Sequence, residues 1–203
     1  IPELLSLQEL RSTSKEHDEM LFIVIHQAYE LWFKQILHEI GALRPALSKG
    51  ETWEALRLMR RVLTILKVQV HQIDILETMT PLSFLQFRAF LSSASGFQSV
   101  QFRELEIICG IHTKGAIEQH HKDEASREIL KQREAEDTIW ESFCDFRNVR
   151  GHGVERPARD KSQRPIHPCD EKTQDVLLHV VRNEPDIALL AECLVDFDEG
   201  LQE

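Results

Sequence analysis

From Ser14 to Ala42 the apolar positions Met20, Phe22, Ile23, Ile25, Leu31, Trp32, Ile36, Leu37 and Ile40 recur at helical spacing, with no glycine before Gly41. The spacing predicts a long helix, capped by Ser14 or Asp18 and closed by the glycine and proline of "GALRP". Its apolar positions cover most of the circumference, as expected of a central helix packed on several sides. A second long helix is expected from about Glu51 to Met79, its stripe running through Trp53, Leu56, Met59, Leu63, Leu66, Val70, Ile73 and Leu76. Thr80 and Pro81 stop it.

Shorter helices are expected from Ser83, as N-cap, to about Leu91, and from Gln98 to Cys109 with Gly110 just past its end. The charged stretch Lys114–Arg147 reads as one or two surface helices. Beyond a loop around Gly151–Pro168, helices at about Glu171–Arg182 and Pro185–Leu201 complete the chain, Pro185 taking the first helical position. No segment alternates as a strand would, and no fixed period repeats. The expectation is a single all-α domain over residues 1–203, a bundle of long central helices.

Composition supports a globular chain: 42% of the 203 residues are hydrophobic and 29% charged, with 8 Gly and 7 Pro. A formal net charge of −10 argues against nucleic acid as a partner, because phosphate binding needs clustered Lys and Arg. No apolar run reaches the length of a membrane span, and no leader pattern stands at the start, so a cytoplasmic protein is expected. Cys109, Cys144, Cys169 and Cys193 form no CxxC pair and read as free thiols.

Three features could carry chemistry. His26 follows the apolar run Met20–Ile25 directly and shares a slanted row with Glu30, Lys34 and His38. On the residues alone a core histidine is the favoured reading; the other is a site imidazole, kept neutral by a buried setting. The rest of the row drifts toward packing and solvent. Arg88 stands among Phe84, Leu85, Phe87 and Phe90, where its planar fork suits a carboxylate ligand as well as it suits a structural acid such as Glu77. Arg103 has Glu104 and Glu106 at hand and reads as structural. The small-residue loop Ser93–Ser99 could hold an anion or a cofactor edge, or simply turn between helices. No HExxH or comparable ligand spacing exists, so no metal ligand is expected, and "QHHKDE" at Gln119–Glu124 sits in a charged, exposed stretch.

The segments "LLSLQ", "HDEMLFIVIHQAYELWFKQILHE", "LETMTPLSFLQFR" and "SASGFQSVQFRELE" resemble, in order and spacing, the signature segments of the tryptophan 2,3-dioxygenase family. "LLAECLVDFDEGLQE" resembles the stretch that leads into the family's haem-ligand helix. The resemblance implies an all-α, homotetrameric enzyme using haem b to insert both atoms of O2 across the indole C2–C3 bond of L-tryptophan, giving N-formylkynurenine. It carries Phe22 and His26 onto the distal pocket, His26 facing the indole N–H, with Ile23, Val24 and Ile25 in the substrate-contacting stretch between them. Arg88 falls on the arginine that grips the substrate carboxylate, Phe84 on a neighbouring aromatic position, and Leu91 and Ser95 on the haem-facing side. The family's iron-ligating histidine and its "GTGGS" loop would lie beyond Glu203. Rival expectations are a related haem enzyme oxygenating another indole or aromatic metabolite, and a haem-less helical protein that binds a ligand or partner.

Overall fold

A computed structural model describes residues 1–91, 99–111, 123–153 and 171–202. Every described element is helical: α1 (Pro2–Leu5), α2 (His17–Ser48), α3 (Thr52–Leu76), α4 (Pro81–Arg88), α5 (Val100–Ile108), α6 (Glu124–Ala135), α7 (Ile139–Val149), α8 (Glu171–Asn183) and α9 (Pro185–Gln202). The all-α expectation holds.

The frame is an antiparallel hairpin of α2 and α3. Its turn ends α2 at Lys49, where the amides of Gly50 and Glu51 donate to the carbonyls of Leu47 and Ala46, both at 2.9 Å. This closure needs a left-handed residue, and Gly50 supplies it at φ +71°. A Cβ there would also meet Val149 Cγ1 at 3.2 Å. Gly110 closes α5 in the same way, at φ +77°, as its place in the sequence predicts.

Between the helices lies one apolar core. Ile36, Ile40, Leu43 and Leu47 of α2 pack on Leu56, Met59 and Val62 of α3. Ile187, Leu190 and Phe197 of α9 cover the far side of α3, while α5 and α7 bring Leu105, Phe143 and Phe146 against α2. Tyr29 on α2 donates to the Gln69 carbonyl on α3 at 2.6 Å, and Arg61 on α3 forks onto both oxygens of buried Glu39 at 2.9 Å. These two cross-links fix the register of the hairpin.

Several expectations are corrected. Helix α2 does not close at Gly41 and Pro45 but runs on to Ser48. The proline removes one amide donor, but Ala46 and Leu47 beyond it are buried in the core, which favours continuing the helix. Neither Ser14 nor Asp18 caps α2: the N-cap is Glu16, without a side-chain bond. Thr80, not Ser83, caps α4, accepting from the Ser83 amide at 3.1 Å.

Helix α7 is no surface helix. Phe143 and Phe146 sit in the core, and Thr138 with Glu141 forms a reciprocal capping box at its start. Trp53 is 74% exposed. At about 100° per residue it falls opposite the core-facing Val62, off the stripe to which the sequence reading assigns it. Finally, the run Met20–Ile25 is not uniformly buried: Ile25 is, whereas Met20 and Val24 are exposed.

Candidate functional site

Two pairs of residues, each one helical turn apart, face one another where the N-terminal half of α2 meets α4. On α2 they are Phe22 and His26, whose ring centroids lie 4.0 Å apart. On α4 they are Phe84 and Arg88, the guanidinium carbon lying 5.8 Å from the Phe84 ring centroid. Phe22 joins the pairs, its centroid 5.8 Å from Phe84 and 5.6 Å from Phe87. Phe84 and Phe87 meet edge to face at 5.5 Å, completing an aromatic wall.

Local chemistry holds this wall in place. Asp18, one turn before Phe22, bonds to His17 at 3.0 Å and to the Ser83 side chain on α4; the His17 bond first, then the Ser83 bond, hold its carboxyl below the usual range. The N-terminal segment is fastened beside it. Gln27 donates to the Leu7 carbonyl at 3.1 Å and accepts from Gln8. Glu19, fully buried, accepts from the Ser12 hydroxyl at 2.5 Å and the Arg11 amide at 2.6 Å. Burial pushes the Glu19 carboxyl up, but those bonds outweigh it and leave it lowered.

The polar members of the site are open to solvent. His26 is exposed, a correction to the buried setting expected behind an apolar run. The reason is rotational: His26 lies on the flank of α2 toward α4, about 100° round the helix from buried Ile25. Its Nδ1 stands 2.7 Å from the Phe22 carbonyl oxygen. A carbonyl only accepts, so this bond places the hydrogen on Nδ1 and leaves Nε2 as the free ring atom. Arg88 is likewise exposed, and no carboxylate lies within ion-pairing distance among the described residues.

The other expected site residues spread around the wall. Leu91, half-buried, follows α4 by one turn, its amide bonded to the Arg88 carbonyl at 3.2 Å. Ile25 turns into the core, Ile23 is half-buried, and Val24 lies on the far side of α2 from Phe22. Ser95 lies outside the described residues, as do Cys169 and most of Gln119–Glu124.

Glu30 serves packing, accepting from Gln101 of α5 at 2.6 Å, and Lys34 and His38 are exposed. Arg103 is buried and paired with Glu106, the structural role read for it. Cys109 and Cys193 are free thiols, which burial pushes up, away from reactivity, and Cys144 is buried with its Sγ accepting from Arg147 at 3.5 Å. Among the described residues no group of three His, Cys, Asp or Glu side chains could hold a metal ion.

Sequence reasoning did not assign Phe87 to the site, nor the Asp18–Ser83 brace or the Gln27 clamp. Phe87 carries a signal, standing three residues after Phe84 on the same face of α4. The brace joins residues far apart in sequence, and no local pattern marks it.

The family model for tryptophan 2,3-dioxygenase matches residues 1–146, which include every described member of this wall. The chain is 48% identical over 205 aligned positions to the tryptophan 2,3-dioxygenase of Herpetosiphon aurantiacus, covering 100% of this chain and 78% of that protein. It is 42% identical over 203 positions to that of Anaeromyxobacter sp. strain K, covering 100% of this chain and 76% of the relative. The Dictyostelium discoideum protein of the same name is 49% identical over 131 positions, 60% of this chain and 33% of its own length.

Proposed function

The chain belongs to the tryptophan 2,3-dioxygenase family, and from that premise we propose that it uses O2 to open the indole C2–C3 bond of L-tryptophan, giving N-formylkynurenine. The observation that carries this reading is the meeting of Phe22–His26 with Phe84–Arg88 at one aromatic wall whose polar members are open to solvent.

The wall is suited to one face of a haem pocket. Its residues are apolar and aromatic, and with an imidazole and a guanidinium at its edge they suit the side of the pocket where the substrate lies. Leu91 and Ser95 are the proposed haem contacts on that side. Haem b, when bound, supplies the activation of O2.

The chain's own groups bind and orient the substrate. Phe22 and Phe84, backed by the buried Phe87, offer the indole an apolar surface and keep water from the reacting carbons. The free Nε2 of His26 accepts the indole N–H, which fixes the ring's orientation. Arg88, without a carboxylate of its own, takes the substrate's in a two-pronged bond. Ile23, Val24 and Ile25 form the apolar turn linking the two α2 residues of the wall.

The same reading includes a homotetramer in the cytoplasm. Leu5 and Leu7 near α1 and Met20, Val24 and Leu31 on α2 are exposed apolar side chains of the kind subunit contacts cover. No helix among the described residues is long and apolar enough to cross a membrane.

Expression with a haem supply tests the proposal. A Soret band together with conversion of L-tryptophan to N-formylkynurenine is expected. A folded but colourless protein, or a haem protein that leaves L-tryptophan unchanged, would overturn it.

A further inference from the structure

On the side of α3 away from the aromatic wall, a groove of about 320 Å³ runs between α3 and α9. Its floor is Leu63, Leu66 and Val70, successive positions on one face of α3. Gly200 of α9 stands at one end beside Leu66, where an added Cβ would lie in ordinary contact with Leu66 Cδ1 at 3.4 Å.

The two rims carry opposite charge. Lys67 and His71, one turn apart, stand on the α3 rim, and Asp196 and Glu199, three residues apart, on the α9 rim. All four side chains are exposed, and none joins an ion pair among the described residues. Groups of opposite sign that line one groove without pairing leave room for a ligand carrying both complementary charges. The volume lies at the low end of small-molecule sites, about 300–1,000 Å³, so that ligand is small.

We infer that this groove binds a free α-amino acid with an apolar side chain, as a second site separate from the α2–α4 wall. The ammonium group lies between Asp196 and Glu199, the carboxylate meets Lys67 with His71 beside it, and the side chain rests on Leu63, Leu66 and Val70. The rims explain why both charges are required: an amine alone leaves Lys67 facing nothing, and a carboxylate alone meets two acidic groups. Because the charged groups are solvated, binding is selective more than tight. No residue of the groove belongs to the aromatic wall, so occupancy of the two sites is separable.

Ligand-induced thermal shift tests the inference, using L-phenylalanine, phenethylamine and 3-phenylpropionate as probes on the full chain. L-phenylalanine is expected to raise the melting temperature, with the two single-charge analogues at least about tenfold weaker in apparent affinity. The shift is expected to persist in Arg88→Ala, whose change lies at the other site, and to vanish in Lys67→Ala and in the Asp196→Asn, Glu199→Gln double variant. These positions are exposed, so the variants fold. No shift with L-phenylalanine, equal shifts with all three probes, or a shift lost in Arg88→Ala and kept in the groove variants would each overturn the second site.

Discussion

Arg88 gains its significance from what is not beside it. The residue expected as its structural alternative, Glu77, makes no ion pair with it, and the guanidinium stands over Phe84 with its donors open. Arg88→Ala should therefore raise KM for L-tryptophan by about 10- to 100-fold, the worth of a charged hydrogen bond of about 1.5–3 kcal/mol. Tryptamine, which lacks the carboxylate, should be nearly unaffected. Steady-state kinetics on both compounds decides, and an equal loss for the two would remove the carboxylate role.

Glu19 presents the opposite case, a buried carboxylate fully engaged with Ser12 and the Arg11 amide. Its folded pKa is lowered from 4.5, so its contribution to stability is complete above that value and is lost as pH falls through the folded pKa. Glu19→Ala leaves the Arg11 and Ser12 amides without their acceptor and should cost about 1–3 kcal/mol. Denaturant titrations should show this loss near neutral pH, shrinking as pH falls below the ordinary carboxylate range and the native carboxylate itself becomes protonated.

Elements were the most legible level where apolar spacing and a stop signal agreed. The extents of α3, α5, α8 and α9 fall within a few residues of the expected ones, and Pro185 and Gly110 occupy the start and end positions that their chemistry suits. Helix α2 was misread at its end, because Gly41 and Pro45 are local stop signals while the residues beyond them are held by distant partners on α3. Gly41 is an exposed interior helix position with nothing within 4 Å of an added Cβ. Gly41→Ala should therefore stabilise the protein by about 0.5–1 kcal/mol, the difference in helix propensity. Thermal melts measure it, and a destabilised variant would mean that the glycine relieves strain next to Pro45.

At the scale of the whole molecule, α9 is joined to the hairpin through a single continuous core. Phe197 is 1% exposed and packs with the α3 side chains. Phe197→Ala should cost about 3–5 kcal/mol. It should do so within one cooperative transition, since the helices share one core. A separate early transition for the C-terminal helices would show instead that α9 folds as an independent unit.

The sequence by itself determined the helical class and the two long helices, and its extended motifs singled out Phe22, His26, Phe84 and Arg88, because helical periodicity and such motifs are written in consecutive positions. Only the tertiary structure decided that His26 and Arg88 are open to solvent, that Trp53 turns outward, that α7 is internal, and that Asp18 braces α4 through Ser83. Burial and long-range bonding depend on which faces of separate helices meet. That is fixed by packing among residues tens of positions apart, and no local pattern encodes it.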